Sequence, residues 1–199
     1  MLRSELPLHH QSTVQLLYHQ LRISRHIITS TMSEFPSIQP AFTIKIALDP
    51  PLAVGSASRN RALQIIPFSK GTLKSADGYP LEIDAEFVGV GNDYIHADPD
   101  GSRMRLDAHG TIKTQDGALI YVNYTGVVTV GDAERDLLTG KIEDGASPFG
   151  NSFTHVTFET GHERYVDLEN RVFVGKGRFV AEKGKPLAVE YRVGQVVHA

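Results

Sequence analysis

Asp93, Tyr121 and Glu159 form a set of side chains that could move protons. A carboxylic acid, a phenol and a second carboxylate can act as general acid, neutral hydrogen-bond donor and general base, with no metal or redox cofactor. Asp93 follows Gly89 and Gly91, which remove side chains from the preceding segment and let another group approach the backbone. If its carboxyl projects into an apolar cavity, desolvation raises its pKa toward the range useful for acid–base chemistry near neutrality. The competing role is the ordinary one of aspartate as a turn cap. Tyr121 shares a strand face with Asn123 and Thr125, opposite Ile120, Val122 and Tyr124; only one set can point inward, and Tyr121 is taken as the polar lining residue. Glu159 shares its face with His155 and Thr157, opposite Thr154, Val156 and Phe158, so that face is either a polar interior or plain exterior.

Asn123 and His155 are expected to contact a ligand if those faces turn inward. Arg103, Arg105, Asp107 and His109 also fall on one strand face, which is either a salt-bridged outer ladder or an anion-recognising inner wall in which Arg103 binds ligand. His155, Glu159 and His162 lack an evident fourth metal ligand, and no metal is expected. Neither a nucleotide-binding loop nor a nucleophile elbow is present in the sequence, so no cofactor is expected. Asn123-Tyr124-Thr125 matches a glycosylation acceptor, but a strand interior is the wrong place for one.

These residues must be positioned by strands. Beyond Pro40 the apolar period is two, as in Phe42, Ile44, Ile46 and Leu48, and again in Leu81, Ile83, Ala85 and Phe87 against Glu82, Asp84 and Glu86. Further strands are predicted over 65–68, 93–97, 103–114, 118–130, 152–160, 171–181 and 187–193. Asp77-Gly78, Asp100-Gly101, Asp116-Gly117 and Lys183-Gly184 sit between such runs as hairpin turns. Eight or nine antiparallel strands must hide their edges, and closure into an all-β up-and-down barrel does so; a two-sheet sandwich is the alternative. Residues 131–150 form one long charged connection, either a lid or a solvated excursion.

The chain has 199 residues, 41% of them hydrophobic, enough for one domain with a real core. A net charge of −3 offers no sustained field for a phosphate backbone, so nucleic acid is not an expected partner. No apolar run is long enough to span a membrane, so a soluble, cytoplasmic protein is expected. With no cysteine, disulfides, thiolate metal sites and cysteine nucleophiles are excluded. Residues 1–40 differ in grammar: all 18 glycines lie at or beyond Gly55, and residues 1–33 hold Arg3, Arg22 and Arg25 against a single acid, Glu5. This segment reads as an amphipathic mitochondrial presequence, as an unstructured extension, or as residues upstream of a working start at Met32. The domain itself is placed at 41–199.

Phe158-Glu159-Thr160-Gly161, then Tyr165, Leu168, Asn170-Arg171 and Phe173-Val174-Gly175-Lys176-Gly177-Arg178, resemble the C-terminal signature of domain of unknown function 3237, also called uncharacterised protein family 0311. Ile65-Ile66-Pro67, Gly91-Asn92-Asp93-Tyr94, Asp98-Pro99-Asp100-Gly101 and Asp116 to Tyr121 match other pieces in order. The resemblance implies a small antiparallel barrel, similar in shape to the allene-oxide-cyclase and dirigent barrels, with ligand inside. It draws Asp93 and Glu159 toward the site and adds Tyr94 and Tyr165 as ligand contacts. Many bacterial members carry Asp-Trp where this chain has Asp93-Tyr94, and this chain has no tryptophan, so the ligand need not be shared. Tyr94, the Asp98 to Gly101 turn and Gly150-Asn151 resemble the fungal branch, whose members often occur near secondary-metabolism functions.

Three functions follow as alternatives. The first is a cofactor-independent isomerase, cyclase or dehydratase acting on a small oxygenated hydrophobe. The second is a noncatalytic carrier of such a metabolite, and the third is an interaction module with a filled interior. The expected partner is a small hydrophobic or oxygenated metabolite, with self-association into a homo-oligomer left open.

Overall fold

In the computed structural model, residues 34–60 and 62–198 are described. Of the extension read over 1–40, residues 1–33 lie outside them, whereas Ser37 to Pro40 already belong to the first strand, so the barrel begins before residue 41. Strand β1 (Ser37–Ala47) is followed by β2 (Leu52–Ala53), β3 (Ala62–Phe68), β4 (Lys70–Ser75), β5 (Asp84–Ala97), β6 (Arg103–Thr114) and β7 (Leu119–Thr129). A short helix α1 (Asp132–Leu138) and β8 (Gly145–Ala146) lead to β9 (Ser152–Thr160). A 3-10 helix (Glu163–Asn170), β10 (Phe173–Ala181) and β11 (Ala188–Val197) complete the order.

All pairings are antiparallel, and they close on themselves. β5 pairs β6, β6 pairs β7, β7 pairs β9, β9 pairs β10, β10 pairs β11, β11 pairs β1, β1 pairs β4 and β4 pairs β5. β3 and β4 run along the same neighbour β5 and act as one bent strand, so the ring is an eight-stranded antiparallel barrel. Closure removes the unpaired edges that an open sheet would expose. The sandwich alternative does not form. Two predicted strands, 81–87 and 93–97, are halves of the single strand β5, and β4 was not anticipated.

The join between the halves of β5 sets the position of Asp93. Val88 faces Thr111 while Asn92 faces His109, so three residues of β5 oppose one of β6. This bulge adds two residues, an even number, and the inward set Ala85, Phe87, Asp93 and Ile95 keeps its parity through it. Gly89 supplies the positive φ of 71°. Gly91 is needed for space, because a Cβ there would lie 2.2 Å from the Phe68 ring and 2.7 Å from the His109 carbonyl oxygen.

The two ends of the barrel differ. At one end the 3-10 helix buries Tyr165 and Leu168 over the interior. Tyr165 donates its hydroxyl to Asp116 at 3.0 Å, and Arg164 pairs with the same carboxylate at 3.1 Å. Beneath them Phe42 packs against Tyr79, Phe158 and Phe173 with ring centroids 5.0, 5.7 and 5.4 Å away. Phe68 and Phe87 meet edge to face at 5.5 Å. This half is full.

The other end opens because β1 and β11 part there. Their ladder ends at Ala47 and Ala188, with one further bond from the Leu48 amide to the Leu187 carbonyl. Pro50 and Pro51 have no N–H to continue it. The chain crosses instead to β3, where the Asp49 amide donates to Pro67 and Leu52 faces Ile65. The long connection 131–150 is fastened beside this opening. Glu134, 2% exposed, accepts from the Gly131 amide at 3.1 Å and from Asn151 Nδ2 at 3.2 Å, and Leu137 is buried. β8 pairs with β10, and Phe149 lies under the Arg178 guanidinium at 4.7 Å.

Candidate functional site

Between the aromatic plug and the open end lies a cavity of about 620 Å³. Its walls are mostly apolar, including Ile66, Ile95, Leu106, Val128, Phe179 and Val189. Asp93 and Tyr191 are the polar groups of the inner wall; Asp49 and Gln64 also line the space, and Leu138 at the end of α1 forms part of it. The size is within the usual range for small-molecule pockets.

Asp93 is 4% exposed. Its pKa is pushed up to about 7, chiefly because burial penalises the carboxylate. The Asp107 backbone N–H, which donates to Asp93 Oδ1 at 3.1 Å, works against that rise, while the charge of Asp107 adds to it; a hydrogen bond from Tyr124 again favours the ionised form. Tyr124 is buried on β7, with its ring 5.1 Å from that of Tyr191 on β11. Burial, first, and neighbouring Tyr191 and Asp93 raise the Tyr124 phenol well above its ordinary value. The Tyr191 phenol is raised too, by burial and then by the charge of Asp93, so both tyrosines remain neutral donors at physiological pH.

Tyr191 owes its place to the strand beside it. It faces Gly177 of β10, where a Cβ would come within 2.5 Å of its ring. Ser152 faces Gly177 from the other side and turns its hydroxyl toward the Tyr191 phenol without closing a regular hydrogen bond. Thr154 Oγ1 is likewise buried and unpartnered among the described residues. Asp93, Tyr124, Tyr191, Ser152 and Thr154 thus form a polar seam between the filled and the open halves. In chemical terms the seam offers a half-protonated carboxyl near neutrality and a phenol beside it, both facing an apolar chamber.

The other expected site residues do not join this seam. Tyr121 and Glu159 face each other across β7 and β9, but on the outer surface, because the apolar set Ile120, Val122 and Tyr124 takes the interior. Tyr121 makes a short hydrogen bond to His109 Nδ1, and His109 Nε2 lies 3.0 Å from Asp107. Asn123 is on the same outer face, donating to the Ala108 carbonyl at 2.9 Å. His155 is exposed on outer β9, and Tyr94 lies outside with its ring 5.9 Å from His109. Arg103 is exposed, and its neighbour Arg105 pairs with Asp98 at 3.0 Å, which is the outer ladder rather than the anion wall. Tyr165 is buried, but at the sealed end, hydrogen-bonded to Asp116. Of the eight side chains expected at the site, Asp93 alone lines the cavity. Tyr191 and Tyr124 were missed because both lie on apolar strand faces, with Val189 and Val193 and with Ile120 and Val122 respectively, where a tyrosine reads as core. No group of three or more potential metal ligands occurs among the described residues. No helix among them is long and apolar enough to cross a membrane.

Comparison with known proteins agrees with this architecture. A UPF0311 protein of Clostridium acetobutylicum is 28% identical over 141 residues, spanning 68% of this chain and 82% of its own length. The crystal structure of a beta-barrel like protein from Acinetobacter baumannii superposes with a TM-score of 0.62 at 24% identity, covering 82% of this chain and 98% of that one. The crystal structure of an enzyme from Penicillium herquei has a TM-score of 0.51 at 17% identity, covering 81% of this chain and 94% of that one. The family model described as Protein of unknown function (DUF3237) matches residues 36–196, and the chain belongs to that family.

Proposed function

We propose that the barrel is a reaction chamber for acid–base conversion of a small oxygenated hydrophobe, namely an isomerisation, cyclisation or dehydration in which Asp93 carries the proton. The carrying observation is a nearly inaccessible carboxyl facing an apolar cavity, with no oppositely charged partner among the described residues. Burying such a group is costly, and a container for apolar molecules has no need of it.

In a dehydration, the neutral Asp93 carboxyl gives its proton to the leaving hydroxyl, the C–O bond breaks and water departs. The resulting carboxylate then removes the proton from the adjacent carbon, which forms the double bond and restores the acid. In an isomerisation the same carboxyl protonates one position and takes a proton from another. Tyr191 donates a hydrogen bond to the substrate oxygen, stabilising the charge that develops there. Tyr124 does not line the cavity; it holds Asp93 and Tyr191 in register and is a positioning residue.

A panel of β-hydroxy ketones and hydroxy enones, followed by product analysis, tests this reading with Asp93→Asn as control. General acid–base catalysis contributes roughly 10²–10⁴-fold, and a loss in that range is expected. A loss of less than tenfold would sink the assignment. Recovery of every bound compound unchanged would leave the barrel as a carrier.

A further inference from the structure

The charge pattern of the cavity narrows what it can take. None of its lining residues is Lys, Arg or His, while two of them, Asp49 and Asp93, are acids. Asp49 lies in the stretch from Leu48 to Pro51, where β1 leaves β11 and the cavity opens. Its backbone amide is used by Pro67, but its carboxylate makes no hydrogen bond or ion pair among the described residues. In the β10–β11 turn Lys185 is paired with Glu182 on the exposed hairpin, and neither Lys183 nor Lys185 lines the cavity. Of the nearby arginines, Arg105 is held outside by Asp98, and Arg178 by Glu190.

Resting on the reaction-chamber reading, we propose that the cavity admits uncharged oxygen-bearing hydrophobes and rejects carboxylates and phosphate esters, with Asp49 as the residue that sets this preference. An anion entering here meets no cation among the lining residues to replace its water and passes the unpaired Asp49 side chain on the way. A carboxyl at Asp93 can serve a neutral carbonyl, ether or hydroxyl as donor or acceptor, which is the pairing an apolar wall tolerates. A cationic amine is the less favoured guest. It would have to form a buried ion pair with one carboxylate in apolar surroundings, where desolvation offsets the attraction.

The test uses two naphthalenes of similar size, 2-acetylnaphthalene and 2-naphthoate, titrated into the full chain at pH 7.5. The protein has no tryptophan, so naphthyl fluorescence reports binding directly. The ketone is expected to bind at least tenfold more tightly than the carboxylate, Asp49→Asn to narrow that gap, and Asp49→Lys to invert it. Equal or tighter binding of the naphthoate by the unaltered protein overturns the proposal, as does a gap that Asp49→Lys leaves unmoved. Failure of both probes to bind at millimolar concentration also overturns it. A 2-naphthylmethylamine arm that binds most tightly of all replaces it with cation selection. The outcomes separate from those of the reaction-chamber reading: Asp93→Asn retaining turnover breaks that reading without touching charge selection, and naphthoate binding breaks charge selection while Asp93 still carries the proton.

Discussion

The half of the barrel beside the 3-10 helix and the half beside Pro50 are walled by the same strands, yet one is filled with rings and the other is hollow. In the filled half Phe42, Phe158 and Phe173 interlock, and Phe68 lies over Gly91 and Gly110 where the bulge leaves room. In the hollow half Ile95, Leu106 and Phe179 are buried from solvent but face an opening instead of a partner. Stability therefore concentrates at one end and binding at the other, with Asp93 on the border. A side chain that touches atoms on all sides contributes more than one that faces a void.

Truncation should expose that contrast most strongly. Phe42→Ala is expected to cost about 3–5 kcal/mol by urea denaturation, the range for a large aromatic removed from a packed core. If it costs no more than the cavity substitutions below, the filled half is not the anchor of the fold.

Asp93→Asn comes next, and its effect depends on pH. The folded-state pKa is about 7 against an ordinary value of 3.8. Both states are protonated below about pH 4, so the group then carries no penalty. As pH rises toward 7 the unfolded chain ionises first, and stability falls until the folded carboxyl ionises too. The loss is on the order of 4 kcal/mol, most of it reached by pH 7 and constant above about pH 8. Unfolding at pH 4 and pH 8 should show the wild type losing stability relative to Asp93→Asn, and parallel profiles would contradict the buried carboxyl. Turnover that begins with the neutral acid should likewise fall as pH rises above 7, and a rate that climbs there would place Asp93 as base in the first step.

Leu106→Ala in the hollow half should cost about 1–2 kcal/mol, below the usual 2–5 for a buried leucine because its side chain already borders open space. The reverse change, Leu106→Phe, should leave stability within about 1 kcal/mol and weaken 2-acetylnaphthalene binding at least tenfold by filling that space. Binding that survives it would move the ligand elsewhere. Smallest of all, Tyr121→Phe and Glu159→Gln should change stability by no more than about 0.5 kcal/mol, as outer-face substitutions do, and turnover by less than threefold. A hundredfold loss from either would return these residues to the site.

The barrel was legible in the sequence because its turns are marked by Asp-Gly and Lys-Gly pairs and its strands alternate cleanly over much of their length. Asp93 was legible for another reason: Gly89 and Gly91 clear the backbone before it, and the family resemblance draws it toward the site, while its inward direction is settled only by the even bulge that joins the two predicted strands into β5. Tyr121 misled because β7 carries tyrosines three residues apart, which puts them on opposite faces, and polarity favoured the wrong one. β9 reverses the usual pattern near the cavity, with Phe153 60% exposed outside and Ser152 and Thr154 within. Alternation rules assume an oily interior, and they fail where the interior has a polar seam. Tyr191 was hidden in the same way, since an aromatic between Val189 and Val193 reads as core until its hydroxyl is seen to face a cavity.

Ser37 and Val197 are partners in the ladder that closes the ring. With β3 and β4 taken as one strand and the two-residue β2 and β8 left aside, every other junction of the ring joins strands that follow one another in the chain, so the wheel has no privileged starting spoke. A short linker from Val197 back to Ser37, with new ends cut at the exposed Lys183-Gly184 turn, would yield a circular permutant with the same walls and the same chamber. The order in which the strands are synthesised would change, while the surroundings of Asp93 would not.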